Sequence, residues 1–258
     1  MDIAGKNILI TGAASGIGKA MAQRFHAEGA AKLFLADLNE AALMEVAQPL
    51  GADFCPCNVG LEHDVLGMIK RAEAALGHID LLCNNAGISV RGGPEVETSD
   101  WQRIWDINLM AHVWASRAAL PAMLARGEGY ILNTASAAGL LSQIGSAPYA
   151  VTKHAAVAFA EWLSITYGDR GIKVSVLCPQ AVRTAMTAGN EDGVASVDGM
   201  MEPEVLCDTV VKTLKEESFL VLPHDEVRTY IQRKTSDYDR WLKGMRRLQS
   251  AYGRDEGL

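Results

Sequence analysis

The chain alternates between short, nearly continuous apolar runs and longer stretches whose apolar positions recur every three or four residues. The runs are Asn7–Thr11, Lys32–Ala36, Asp53–Asn58, Asp80–Asn84, Gly129–Thr134, Lys173–Cys178 and Phe219–Leu222. A strand with no polar alternation suits a parallel sheet covered on both faces. The stretches between the runs are long enough for crossover helices. Ile17–Glu28 stops at Gly29, a helix capped by Asn39 runs to about Leu50 before Gly51, and Glu62–Leu76 is followed by Gly77. Glycine just beyond a periodic stretch is a helix stop signal. The pattern predicts an α/β fold: a doubly wound parallel sheet of the Rossmann type, about seven strands with helices on both faces.

Pro56 tests that prediction, because a strand proline is tolerated only where no ladder hydrogen bond is lost. The strand order 3-2-1-4-5-6 puts the third strand at an edge, which accommodates it. No repeat or linker interrupts the chain, so residues 1–258 read as a single domain. Two regions stand apart. Residues 185–203 are rich in small residues and carry Met186, Met200 and Met201, which suggests an adaptable loop over a substrate. Residues 224–252 form a helical extension with Val227, Tyr230, Ile231, Tyr238, Trp241, Leu242, Met245 and Leu248 at helical spacing. Three placements stay open for it: packed on its own subunit, covering a neighbour's site, or lying on a membrane surface.

Charge and composition narrow the partners. A net charge of -7 disfavours nucleic acid and anionic membranes. No apolar run approaches the ~20 residues needed to span a bilayer, and no leader precedes Asn7, so a cytoplasmic protein without a membrane partner is expected. The five cysteines are odd in number, and Cys55-Pro56-Cys57 lacks the two-residue gap of common zinc sites. Reduced, buried thiols and no bound metal are expected. The six scattered histidines read as surface or packing residues.

The chemistry lies where strands end. Thr11-Gly12-Ala13-Ala14-Ser15-Gly16-Ile17-Gly18 joins the first strand to a helix whose N–H groups and dipole suit a pyrophosphate. Asp37 ends the second strand, where a carboxylate accepts hydrogen bonds from ribose hydroxyls and repels a 2′-phosphate. No arginine or lysine stands at Ala13, Ala14, Ser15 or Leu38 to hold such a phosphate. NAD is therefore expected over NADP. Tyr149 and Lys153 share one face of a helix, where an ammonium can lower the phenol pKa for proton transfer. Ser136 ends the fifth strand and Asn84-Asn85-Ala86-Gly87 the fourth, both in the crevice where such folds bind ligands.

Together these motifs resemble the short-chain dehydrogenase/reductase family, over about residues 5–185. Thr11–Gly18 matches its glycine motif, Asp37 the acidic position of its NAD-using members, and Asn84–Gly87 its Asn-Asn-Ala-Gly motif. Ser136, Tyr149 and Lys153 match its catalytic set, and Asn108 its catalytic asparagine, which holds a water in a proton relay through Lys153. The resemblance implies Tyr149 as general acid/base, Ser136 orienting the substrate oxygen and Lys153 binding the nicotinamide ribose. It implies cofactor contacts at Gly12, Ser15, Gly16, Ile17, Gly18, Asp37, Leu38, Asn58, Val59, Asn84, Asn85, Ala86, Gly87, Tyr149, Lys153, Pro179, Val182 and Thr184. Two positions depart from the family pattern: Gln180 replaces a glycine after Pro179, and Asn58 replaces an acidic residue. The expected activity is hydride transfer between NAD(H) and a hydrophobic secondary alcohol or ketone, by a homodimer or homotetramer. The rivals are an NAD-binding epimerase or dehydratase, and an NAD(H)-sensing protein without turnover.

Overall fold

A computed structural model describes residues 1–189 and 193–252. Seven strands form one parallel sheet: β1 (Asn7–Thr11), β2 (Lys32–Asp37), β3 (Asp53–Pro56), β4 (Leu81–Asn84), β5 (Gly129–Thr134), β6 (Ile172–Leu177) and β7 (Leu220–Val221). Their order is β3-β2-β1-β4-β5-β6-β7. The helices are α1 (Gly16–Ala27), α2 (Glu40–Ala47), α3 (Glu62–Leu76), α4 (Thr98–Trp105), α5 (Ala111–Arg126), α6 (Ala147–Tyr167), α7 (Pro203–Glu216), α8 (Glu226–Ser236) and α9 (Tyr238–Tyr252).

The continuous apolar runs follow from two cores. Leu9, Phe34, Leu82 and Ile131 pack with α3, α5 and α6 on one face of the sheet. Their neighbours Ile8, Ile10, Leu35, Leu81 and Leu132 pack with α1, α2 and α7 on the other. Successive strand side chains point to opposite faces, so a strand buried twice shows no polar positions.

β3 is an edge strand, as its proline requires. Pro56 is in register with Asp37, and the next N–H, that of Cys57, donates to the Asp37 carbonyl at 2.8 Å. The missing N–H of Pro56 therefore faces away from the ladder. Helix α2 begins as expected, with the Asn39 Oδ1 accepting from the Ala42 N–H at 3.2 Å. It ends earlier than expected, at Ala47, and a 3-10 turn covers Gln48–Leu50. Pro49 explains this, since it has no N–H to continue the α-helical ladder. All five cysteines are free and buried, and burial pushes the Cys57 thiol up to about 12. No helix among the described residues is long and apolar enough to cross a membrane.

Candidate active site

The carboxyl ends of β1, β4 and β5 open on a common crevice. At the glycine loop the backbone leaves no room for side chains. Gly12 has φ +65, and a Cβ there would lie 2.9 Å from the Ala86 Cα. A Cβ on Gly18 would lie 2.0 Å from the Gly12 carbonyl oxygen, so α1 can meet the loop this closely only with glycine. The first turn of α1 has no acidic residue, and the Ser15 side chain makes no capping bond. Its N–H groups and positive dipole end thus remain available to an anion. Thr184 stands across the loop, with its methyl 3.0 Å from where a Gly16 Cβ would be.

Asp37 is fastened to this loop. One carboxylate oxygen accepts from the Ala14 N–H and the other from the Asn39 N–H, each at 3.0 Å. Leu38 beside it is exposed. Asn85 joins β4 to the loop: its Nδ2 donates to the Thr11 carbonyl at 3.0 Å, and the Thr134 hydroxyl donates to its Oδ1 at 3.2 Å. Asn84 is placed differently. It is buried and donates to the Asn133 Oδ1 at 2.9 Å, so its side chain ties β4 to β5 beneath the crevice floor. The Asn58 Oδ1 accepts from the Gly60 N–H at 3.1 Å, while the Val59 side chain is buried in the core beside α3.

Helix α6 carries Tyr149 and Lys153 one turn apart. The Lys153 Nζ lies 5.6 Å from the Tyr149 ring centroid and donates to the Thr134 carbonyl at 3.0 Å. Burial lowers the Lys153 ammonium to about 8. The Ser136 hydroxyl accepts from the Ala138 N–H at 3.1 Å and faces the phenol. Here the expected electrostatics need correction. Burial raises the Tyr149 phenol above its ordinary value, and the opposing pull comes from the Ser136 hydroxyl. Desolvation of the phenolate is the dominant cause.

Asn108 sits in a π-helical turn, Asp106–Met110, between α4 and α5. Its amide is fully enclosed: Oδ1 accepts from the Ile88 N–H at 2.9 Å, and Nδ2 donates to the Ile88 carbonyl at 3.0 Å and to the Thr152 hydroxyl at 3.2 Å. A Cβ on Gly87 would come within 3.2 Å of the Asn108 Oδ1 and 3.3 Å of the Lys153 Nζ, so these three groups meet.

The segment after β6 explains the Gln180 departure. Among the described residues only Glu217 has positive φ without being glycine, so Gln180 needs no glycine backbone. Its N–H donates to the His224 Nδ1 at 3.2 Å, and the His224 Nε2 lies 3.1 Å from the Ala181 carbonyl. The Gln180 Nε2 donates to Asp198 at 2.9 Å, and the Tyr230 hydroxyl donates to the same carboxylate at 2.9 Å. Pro179 accepts from the Ala137 N–H at 2.8 Å. Val182 is buried and bridges to Met201.

A cavity of about 440 Å³ opens above these groups. Ser136 and Tyr149 reach it, and Leu141, Ile144, Met186, Trp241, Met245 and Leu248 supply apolar wall. Residues 185–203 thus contribute lining, although Asn190, Glu191 and Asp192 lie outside the described residues. The C-terminal extension covers the crevice of its own chain. The buried Lys234 of α8 fastens it by donating to the Leu140 and Leu141 carbonyls at 2.7 and 3.0 Å. The same ammonium stacks 5.1 Å from the Trp241 ring centroid. His224, Asp198 and Lys234 had no signal in the sequence, since nothing about a lone histidine, aspartate or lysine says which loop it will hold.

A short chain dehydrogenase family model matches residues 6–195. The chain is 38% identical to 3beta-hydroxysteroid dehydrogenase 2 of Eggerthella lenta over 195 residues, 72% of this chain and 75% of that one. It is 38% identical to meso-2,3-butanediol dehydrogenase of Serratia marcescens over 188 residues, 71% and 74% of the two chains. The crystal structure of a short chain dehydrogenase/reductase from Burkholderia phymatum in complex with NAD superposes with a TM-score of 0.84 at 28% identity, covering 93% of this chain and 96% of that one. Strand order, glycine loop and family match agree: the chain belongs to the short-chain dehydrogenase/reductase family.

Proposed function

We propose that the protein transfers a hydride between NAD(H) and an apolar secondary alcohol or ketone, with Tyr149 as general acid/base. The observation that carries this reading is the convergence of Ser136 and Tyr149 on one apolar cavity, with Lys153 buried one turn behind. The crevice fits a dinucleotide. Gly12, Gly16 and Gly18 leave a cradle at the N-terminus of α1, with the Asp37 carboxylate beside it to receive ribose hydroxyls. The NAD-bound relative and the hydroxysteroid and butanediol enzymes support the same reading. When bound, the nicotinamide supplies the hydride acceptor or donor.

The chain's own groups handle the proton and the substrate. Ser136 holds the substrate oxygen by a hydrogen bond, and Tyr149 takes or gives its proton. Lys153, anchored on Thr134, keeps an ammonium close to the phenol and offers its remaining N–H groups to a ribose. The apolar walls exclude water and select against charged substrates. With its side chain spent on Ile88 and Thr152, Asn108 can hold a relay water only through its main chain, where the π turn disturbs the regular helical ladder.

Exposed apolar residues on α6, among them Trp162 and Ile165, support a homo-oligomer. The protein works in the cytoplasm on a small molecule. The test is a panel of aliphatic, alicyclic, aromatic and steroidal secondary alcohols with NAD or NADP, scored by reduced cofactor formed. NADH formation with bulky apolar alcohols is expected. Tight NADH binding with no turnover across the panel would instead favour a sensing protein.

A further inference from the structure

His112 is a buried imidazole with no hydrogen-bond partner on either ring nitrogen. It lies at the start of α5, four residues after Asn108, and is 1% exposed. Ser116, one turn further on, is equally buried, and its hydroxyl is unpartnered too. On the sheet beside α5, the Asn133 Nδ2 is a fourth unpartnered atom, although its Oδ1 is bonded to Asn84. Asn133 alternates with Ile131 and Ala135, which pack in the same core as Ala111, Ala115 and Ala119 of α5. These orphan groups therefore belong to one layer, between β5 and α5.

A buried polar atom without a partner costs about 1–3 kcal/mol, and four in one layer imply ordered water bridging them. The layer adjoins Lys153: its Nζ donates to the carbonyl of Thr134, the residue after Asn133, and it meets Asn108, one helical turn before His112, around Gly87. The Lys153 charge is felt at the His112 ring, and burial with that charge lowers the imidazole to about 3, which keeps it neutral. A neutral ring presents one N–H and one lone pair, so it can orient waters without repelling an incoming proton.

Resting on the dehydrogenase reading above, we infer that His112 and Ser116 position internal waters that carry the proton away from Lys153 during alcohol oxidation. The Lys153 ammonium gives a proton to the adjoining water, each water passes one of its own to the next until the last releases one to bulk solvent, and Lys153 is reprotonated from Tyr149, which has taken the alcohol's proton. Each oxygen gains one proton and loses one, and His112 stays neutral throughout. His112 is a positioning residue that acts through Lys153.

The experiment compares wild type with His112→Phe, His112→Asn and Ser116→Ala on the best alcohol of the panel. Three quantities are measured: kcat, KM for NAD, and the solvent deuterium isotope effect on kcat. His112→Phe should lower kcat about tenfold, a modest part of the ~10²–10⁴ that proton transfer contributes, and raise the isotope effect at unchanged KM for NAD. His112→Asn, which keeps a donor and an acceptor, should restore much of both. Ser116→Ala gives a smaller shift in the same direction and serves if His112→Phe fails to fold. Wild-type kcat and isotope effect in a folded His112→Phe, or in Ser116→Ala where His112→Phe does not fold, would overturn the inference. So would a high-resolution crystal structure with no water within hydrogen-bond distance of the His112 nitrogens. A wild type inactive with every alcohol overturns the dehydrogenase reading itself, which is a different failure.

Discussion

The two walls of the crevice are built by different rules. On the nucleotide side, the backbone at Gly12 and Gly18 packs against Ala86 and the Gly12 carbonyl too closely for any added atom, and the Asp37 and Asn85 side chains bond the main chain of the same loop. On the substrate side, α8 and α9 are held by a few side chains: Lys234 on two carbonyls, Tyr230 on Asp198, and His224 on the Gln180 N–H. The family match covers the first wall and stops at residue 195, before α8 and α9 begin. A wall fixed by main-chain geometry admits few sequences, whereas one fixed by side-chain tips over an apolar chamber admits many. The difference separates a fixed coenzyme from a variable substrate.

The largest effect expected lies where the walls meet. Tyr149→Phe should lower kcat by about 10²–10⁴ while NADH affinity, measured by fluorescence titration, stays within a few-fold of wild type. Normal turnover would mean that the proton moves elsewhere. On the nucleotide wall, Gly18→Ala should cost roughly 3 kcal/mol or abolish NADH binding, because the new methyl must displace the Gly12 carbonyl. Denaturant unfolding beside the same titration would tell these outcomes apart.

Asp37→Ser should act more mildly. Losing hydrogen bonds to a charged group, ~1.5–3 kcal/mol, narrows the preference for NAD over NADP by about 10- to 100-fold in kcat/KM. A wild type that already favours NADPH would contradict the assignment. A pH effect belongs to the same half of the molecule. The His112 pKa is lower folded than unfolded, so between its ordinary value of 6.5 and about 3 the unfolded chain binds a proton that the folded chain refuses. Stability therefore falls as pH drops through that window. His112→Phe should flatten the decline, as read by urea unfolding at stepped pH.

The two walls also differ in how far the sequence revealed them. Strand order, the edge position of Pro56 and the glycine loop were legible because each rests on a local rule: burial on both faces, a missing N–H, a missing Cβ. The break of α4–α5 into a π turn at Asp106–Met110 was not, since the apolar pattern there does not announce a wider turn. That desolvation prevails at Tyr149 was not legible, because Coulomb attraction can be guessed from spacing, whereas the weight of desolvation depends on the whole surrounding fold. The amphipathic stripe of α8 and α9 was visible, and packing on the chain's own subunit was its leading placement, but the pattern alone did not exclude the other two. Only the bonds of Lys234 to the loop after β5 choose among them.

That choice yields the smallest effect and the sharpest test of the comparison. Trp241 lines the cavity and stacks on Lys234, so it both shapes the chamber and holds its cover. Its side chain is only half-buried, so Trp241→Ala should remove about 1 kcal/mol of apolar contact, below the ~1.5–3 kcal/mol of a fully buried side chain. KM for a bulky alcohol should rise about fivefold, with little change for a small one such as 2-butanol. KM for NAD should not move, because the cavity that Trp241 lines takes none of its lining from the glycine loop or Asp37. If KM for NAD rose in step, the walls would be one coupled unit. If neither KM changed, the substrate would lie elsewhere in the crevice, and the walls' separate duties would lose their support.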